Sequence, residues 1–382
     1  MRFRIVGEED IRSGITTDKY FIWTEKVLKE KRVNPRVVAE VTTSSWGIFV
    51  GLEDVLHLLE GKNVDVYAMP EGTLFFPHEP VITIVGEYLE FARFETPLLG
   101  FICHASGIAT QAFKSKLAAG DKRVLSFGTR RQHPALAAMI ERAAYIGGVD
   151  GVSNFAAEKY LGIRSIGTMP HALIISFGSQ VDAWKAFDEV VDEDVPRTLL
   201  VDTYSDEKTE AIMAVENVER VNAIRLDTPG SRRGNFRKIV EEVRWELDIR
   251  GRQDVGIVVS GGLDLGDIIA LRDLVDAFGV GTSIAGARPL DFALDIVEKD
   301  GKFVAKRGKR GGWKQVYRDW EKFEDEVRLY WNEPPEGKKP LIQKFMEAGE
   351  ILIEPSMEKA RNLVLKQMDI IRKLGREMEF LQ

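Results

Sequence analysis

Short polar clusters follow apolar runs at seven places in this chain: Phe127-Gly128-Thr129-Arg130-Arg131, Ser153-Asn154, Thr168-Met169-Pro170-His171, Asp202-Thr203, Arg225-Leu226-Asp227, Ser260-Gly261-Gly262 and Gly279-Val280-Gly281-Thr282. Their chemistry is that of anion and sugar recognition. Ser260, Gly261 and Gly262, with Gly279, Gly281 and Thr282, offer backbone amides that can cradle a phosphate where a helix begins, or else form plain tight turns. Arg130 and Arg131 oppose the macrodipole if they open a helix, so they are either solvated charges or anion ligands. Asp202 and Asp227 end strongly apolar stretches, where a carboxylate must be solvated, paired with Arg225 or bound to a cation. At a phosphate-binding mouth such carboxylates also hold ribose hydroxyls or magnesium, which prefers oxygen ligands. His171 is one of five histidines, and its place after Gly167-Thr168-Met169-Pro170 favours chemistry over a structural role. No Ser-His-Asp or Cys-His nucleophile pattern accompanies it.

The elements that must position these clusters can be read from the apolar rhythm. Strand candidates VLSF, residues 148–152, RSIGTM, TLLVD, VNAIRLD, VGIVVSGG and FGVGTS recur with amphipathic helix patterns such as DEKTEAIMAVEN and GDIIALRDLVDAFG between most of them. Alternation of this kind predicts parallel βαβ units, whose strand ends converge on one face and present the polar clusters there. Seven such units between about residues 120 and 286 are too short in total for a regular eight-stranded barrel, which takes roughly 250 residues. The expected fold is therefore α/β: an irregular α/β barrel with a discontinuous α/β sandwich domain from the two chain ends.

In the N-terminal part, VVAEVTTSSW, VDVYAM and VITIVGEY read as strands, and a helical pattern from Glu87 to Ala119 is expected to be interrupted at Pro97 and Gly100. Beyond Arg288, ALDIVEKDGKFVAK reads as a hairpin turning at Asp300-Gly301 that rejoins the N-terminal sheet. A short β-like ILIEP and a final helix from Ser356 follow. The expected boundaries are residues 1–119, 120–288 and 289–382.

With 53 Lys+Arg against 60 Asp+Glu, a formal charge of -7, neither nucleic acid nor an anionic membrane is the expected partner. Cys103 is the single cysteine, which excludes an internal disulfide and a cysteine-rich zinc site. The opening MRFRIVGEEDIRSG has no apolar core of a signal peptide and no long apolar run follows, so a cytoplasmic protein is expected. The charged fraction of 30% is of the kind found in proteins of hot environments.

Taken in order, TTDKY at 16–20, FGTRR at 127–131, VSN at 152–154, GTMPHAL at 167–173, RLD at 225–227, SGGLD at 260–264 and GVGT at 279–282 resemble the nicotinate phosphoribosyltransferases. The resemblance implies formation of nicotinate mononucleotide and pyrophosphate from nicotinate and phosphoribosyl pyrophosphate, coupled to ATP hydrolysis, in NAD salvage. It also implies a homodimer, or a higher assembly, with active sites shared between subunits. Tyr20 from the neighbour and Phe127 would flank the pyridine ring, an arrangement that suits flat aromatics. Without that context Tyr20 reads as an amphipathic helix residue.

By the same resemblance, Arg130 and Arg225 line the pyridine and phosphate region, with Thr198 in the substrate-binding set. Asp202 and Asp227 would meet the ribose and Mg2+-bound pyrophosphate, and the two glycine-rich turns the 5'-phosphate. Ser153, or Asn154 beside it, would read the acid of nicotinate where nicotinamide-using relatives place an aspartate. Lys309 and Arg310 would form a basic loop reaching phosphates across the interface, and His171 would be phosphorylated by ATP as co-substrate. Two departures are visible: Ala172 stands where many relatives have Glu, and Cys103 alone leaves no structural zinc site. The rival readings are a quinolinate phosphoribosyltransferase, which would need a denser basic site, and a non-catalytic phosphate or nucleotide sensor, which would need neither carboxylate nor His171.

Overall fold

The computed structural model describes residues 3–381; residues 1, 2 and 382, the outermost positions of the two terminal segments, lie outside the described residues. The chain divides into two compact units, one made of Met1–Thr110, Ile146–Gly148 and Arg288–Glu379, the other of Gln111–Tyr145, Val149–Ala287 and Phe380–Gln382.

The first unit is built on a seven-stranded sheet in the order 302–303, 293–299, 36–42, 82–87, 64–68, 343–347 and 350–351, with antiparallel neighbours throughout. Strand Arg36–Thr42 buries its five central residues, three valines and Ala39 with Glu40, whose carboxylate is paired with Lys314 at 2.7 Å. The hairpin expected at Asp300-Gly301 is present: Lys299 pairs with Lys302, and both turn residues have positive φ, 49° and 74°, as a two-residue type I′ turn requires. It joins the N-terminal sheet through pairing of Ala293–Lys299 with Arg36–Thr42. A smaller three-stranded sheet is formed by 314–319, 324–329 and 339–340. The closing helix Met357–Lys373 starts where Ser356 accepts a hydrogen bond from the Lys359 amide.

One expectation about this half is corrected. Helix Glu95–Ala119 runs without interruption over Pro97 and Gly100. Pro97 stands in the first turn, where its missing amide has no partner to lose. Gly100 costs about 1 kcal/mol in a helix, and burial of Leu98, Ile102, Ala105 and Ile108 outweighs it.

The second unit carries a parallel sheet of six short strands: β1 (Arg123–Ser126), β2 (Gly151–Val152), β3 (Thr198–Val201), β4 (Ala223–Leu226), β5 (Gly256–Val259) and β6 (Ala277–Val280). Their order is β2-β1-β6-β5-β4-β3, all parallel. All four residues of β3 and of β6 are buried, the mark of a parallel sheet covered on both faces. Helices Glu207–Asn217, Phe236–Ile249 and Leu265–Leu271 fall between the strands, as the rhythm predicts.

The strand expected at RSIGTM is absent as a strand. The segment runs extended and takes a single backbone bond, from Ile166 N to Val152 O at 2.8 Å, beside β2. Gly162 and Gly167 disfavour a regular ladder, and Pro170 has no amide to continue one. Among the described residues no helix is long and apolar enough to cross a membrane.

Candidate active site

Each strand of the parallel sheet ends in one of the polar clusters, and the βα loops bring several of them into contact. Asp202 and Thr203 follow β3, Arg225 lies within β4 with Asp227 just beyond it, and Ser260 follows β5. His171 is the first residue of helix His171–Phe177 rather than the end of a strand.

These six side chains form one connected group. The Nδ1 of His171 lies 3.0 Å from Thr203 Oγ1, while its Nε2 faces Asp202 Oδ1 at 3.7 Å and Asp227 Oδ2 at 3.8 Å. Asp227 also receives Arg225 at 3.3 Å and the Ser260 hydroxyl at 2.7 Å. The Asp227 amide donates to Asp202 Oδ2 at 2.9 Å, which ties the ends of β3 and β4 together. Arg225 donates to Thr168 Oγ1 as well, and its guanidinium carbon sits 5.9 Å from the centre of the Phe127 ring.

The electrostatics follow from burial. Desolvation raises the Asp202 carboxyl to about 7, against the hydrogen bond from the Asp227 amide. Desolvation also lowers His171, with the Asp227 carboxylate opposing it, so the imidazole favours its neutral form. Two buried polar atoms in the group have no hydrogen-bond partner: the acceptor Asp202 Oδ1 and the donor Arg225 Nε. Unsatisfied atoms of this kind cost about 1–3 kcal/mol each, a cost that a polar ligand reaching them would offset.

Other expected residues are placed less uniformly. Asn154 is committed to structure, its Nδ2 donating to Thr129 Oγ1 at 3.0 Å and its Oδ1 accepting from the Ala156 amide at 2.9 Å. Ser153 beside it is half-buried. Arg130 is exposed, in a 3-10 turn Thr129–Arg131, so the Arg pair does not open the following helix Ala137–Ile146 and the macrodipole argument for it falls away. Its charge still acts on Arg225, whose pKa it helps to lower after desolvation.

Thr198 is corrected: it starts β3, whereas Asp202 follows that strand's other end, roughly 13 Å along at ~3.3 Å per residue. Its strand places it away from the polar face.

Tyr20, Lys309 and Arg310 belong to the first unit. Tyr20 is 54% exposed on helix Lys19–Lys31, its ring 4.4 Å from that of Phe21. Lys309 pairs with Asp295 at 2.9 Å. It lines, with Arg310, Lys314, Glu40 and His78, a cavity of about 390 Å³.

Family models described as quinolinate phosphoribosyl transferase, N-terminal and C-terminal domains, match residues 18–106 and 108–295. A nicotinate phosphoribosyltransferase of Mycobacterium tuberculosis is 33% identical over 336 residues, covering 82% of this chain and 70% of its own. The chain belongs to the nicotinate/quinolinate phosphoribosyltransferase superfamily. The crystal structure of a nicotinate-nucleotide pyrophosphorylase from Pyrococcus furiosus is 52% identical with a TM-score of 0.95, covering 97% of this chain and 99% of that one. The human nicotinic acid phosphoribosyltransferase shares the fold, with a TM-score of 0.71 at 19% identity over 93% of this chain and 94% of that one.

For a phosphoribosyltransferase the glycines at the strand ends have identifiable reasons. Gly261 has φ +96°, and a Cβ there would lie 2.8 Å from the Asp227 carbonyl oxygen. At Gly279 a Cβ would lie 2.6 Å from the Phe127 ring, so only glycine lets the ring seat against β6. Arg233, 8% exposed, braces the Gly261 turn by donating to its carbonyl and, at 2.9 Å, to the Thr228 carbonyl.

Three contributors escaped the sequence reading: Arg233, Glu141 and Glu210. Glu141 is buried and accepts from the Asn154 amide at 3.1 Å. Glu210 is wholly buried within the otherwise ordinary helix Glu207–Asn217. The signal available in advance was an acidic residue on the apolar face of a helix, which by pattern alone reads as imperfect amphipathicity.

Proposed function

We propose that this phosphoribosyltransferase joins nicotinate to the ribose of phosphoribosyl pyrophosphate, forming nicotinate mononucleotide and pyrophosphate, with ATP hydrolysis coupled through His171. The observation that carries the reading is the pairing of an unpartnered buried acceptor, Asp202 Oδ1, with an unpartnered buried donor, Arg225 Nε, in the group centred on His171. A sugar hydroxyl or cation suits the first, and a carboxylate or phosphate the second.

In the reaction the bond from ribose C1 to pyrophosphate breaks, its electron pair leaving on the pyrophosphate oxygen, while the pyridine nitrogen donates its lone pair to C1. Positive charge develops on the ribose ring. The Asp202 and Asp227 carboxylates stabilise that charge electrostatically, and the glycine-rich turns after β5 and β6 hold the 5'-phosphate through backbone amides. Phe127 and Arg225, whose guanidinium carbon lies 5.9 Å from the ring centre, offer a flat apolar surface and a cation to a pyridine carboxylate. Placement of the two reactants is the larger part of the work.

Magnesium fits this donor set, since Asp202 Oδ1 is buried without a partner and both candidate ligands are carboxylates. Asp202 and Asp227 would hold it together with substrate oxygens. When bound, it neutralises the leaving pyrophosphate.

His171 would take the γ-phosphoryl group of ATP on a ring nitrogen, releasing ADP, and water would later remove it. Its neutral form is the nucleophilic one, and Thr203 orients the ring. The protein would act as a homodimer, Tyr20 of each chain serving the neighbour's pyridine and Lys309 and Arg310 its phosphates.

Because the family models carry the quinolinate name, quinolinate is the second candidate substrate. The test is to incubate purified protein with magnesium, phosphoribosyl pyrophosphate and, in separate reactions, nicotinate, nicotinamide or quinolinate, with and without ATP. Nicotinate mononucleotide from nicotinate, increased by ATP, is the expected product. Product from quinolinate alone, with release of CO2, overturns the nicotinate reading.

A further inference from the structure

Glu210 has no exposed surface, yet its carboxylate is saturated. Oε2 accepts from the amides of Asp202 at 2.8 Å and Thr203 at 3.0 Å, and Oε1 from those of Tyr204 at 2.6 Å and Ser205 at 2.7 Å. Gln180 Nε2 adds a longer contact of 3.4 Å to Oε1. Four consecutive amides turned toward one anion form the kind of concavity that elsewhere binds a substrate phosphate. Here the protein's own side chain occupies it, so the loop after β3 is unavailable to a phosphate and is held rigid instead.

The loop so held carries two groups that surround His171. Asp202 has φ 105°, a conformation that residues with a Cβ rarely adopt, and surrounding structure must over-determine such a residue for it to persist. In that conformation its carboxylate meets the Asp227 amide at 2.9 Å and stands 3.7 Å from His171 Nε2. The next residue, Thr203, meets His171 Nδ1 at 3.0 Å. The two ring nitrogens are thus addressed by adjacent residues whose amides share one oxygen of Glu210.

Stability alone is an incomplete reason for this arrangement. An apolar side chain in its place would leave four amides without an acceptor, so the carboxylate does stabilise the loop, but stability does not require that the loop so held face both ring nitrogens of His171.

We infer that Glu210 is a positioning residue for phosphoribosyl transfer: by binding the amides of residues 202–205 it holds Asp202 and Thr203 on either side of His171. The inference rests on the phosphoribosyltransferase reading of the site, and the test separates the two.

Glu210→Ala and Glu210→Gln are made in the full-length chain and compared with wild type for thermal midpoint, steady-state kinetics and amide hydrogen exchange over residues 198–210. Glutamine keeps the shape but turns an NH2 group toward two of the four donors, so it should fall between wild type and alanine. The expected result is a kcat lower by about 100-fold for alanine and about 10-fold for glutamine, the scale of a misplacement near 1 Å. The KM for nicotinate should stay within about twofold, because Phe127 and Arg225 are not among the amides' partners. Exchange at 202–205 should accelerate. A role in stability only would lower the midpoint and leave the kcat of folded protein unchanged, and that result overturns the inference.

If alanine fails to fold, the glutamine variant decides by the same criteria. If wild type turns over quinolinate and not nicotinate, the substrate reading fails and the same ratio is measured with quinolinate. If wild type uses neither, the phosphoribosyltransferase reading fails in its own control, and the inference falls with it. Exchange as slow in both variants as in wild type overturns the inference whatever the activity.

Discussion

At the scale of single residues the proposed reaction turns on His171 and Ser153. A neutral imidazole between Thr203 and two carboxylates is a competent nucleophile near pH 7. Wild-type protein given γ-labelled ATP should therefore gain an acid-labile, base-stable label. His171→Asn should lose both the label and the coupling of ATP hydrolysis to product, while keeping slow transfer without ATP. Label retained in the mutant rules His171 out as the carrier.

The family resemblance assigns Ser153 to the choice of substrate. Asn154 is occupied at both ends of its amide, which leaves the serine hydroxyl as the group of the pair suited to meet the ring substituent. Ser153→Asp would set a negative charge near the acid of nicotinate, and a mismatch of about 1–3 kcal/mol lowers kcat/KM roughly 10- to 100-fold. Unchanged nicotinate kinetics would remove Ser153 from the site.

Among the secondary elements, the three-stranded sheet holds a buried charge arrangement whose effect can be measured. Arg318 is fully buried in strand Lys314–Asp319 and pairs with Asp325 of Glu324–Leu329 at 2.6 Å. The aromatic rings of Phe76, Trp320 and Phe323 surround its guanidinium. Glu79 lies close to Asp325, and burial, reinforced by that neighbouring carboxylate, raises it from the ordinary 4.5 to about 9. The folded state therefore favours protonated Glu79. Its contribution is complete below pH 4.5 and is lost as pH rises toward 9, because the unfolded chain ionises across that window and the folded chain does not. Glu79→Gln does not titrate. Its thermal midpoint, compared with wild type, should rise progressively between pH 5 and 9, by several degrees at the upper end. A difference that stays flat across that range would show that Glu79 is ionised in the fold.

At the scale of the whole molecule the expectation is that one chain does not complete a site. Tyr20 is 54% exposed and belongs to the unit that lacks the His171 group. Mixing Tyr20→Ala with Asp227→Ala protein, each inactive alone, should restore one intact site in each mixed dimer, up to about half of the activity per mixed dimer by simple site counting. If subunit exchange is verified by mass and no activity returns, Tyr20 does not act across an interface.

The sequence by itself determined the parts of this protein that depend on local periodicity and chain chemistry. Alternating apolar runs and amphipathic helices predicted the parallel strands β1 to β6, Asp300-Gly301 predicted its hairpin, and Ser356 marked the start of the final helix. Strand ends also made Asp202, Arg225, Asp227 and Ser260 legible as a group, since every parallel strand delivers its last residues to the same face. What only the tertiary structure decided depends on long-range satisfaction of polar groups. RSIGTM is extended without becoming a strand because its ladder is a single bond to Val152. Pro97 is carried in the helix because it falls in the first turn, and Gly100 because packing outweighs propensity. Glu210 and Arg233 have no spacing that announces them. Their roles exist only once the loops after β3, β4 and β5 are folded against them, with backbone amides and carbonyls that no side-chain pattern records.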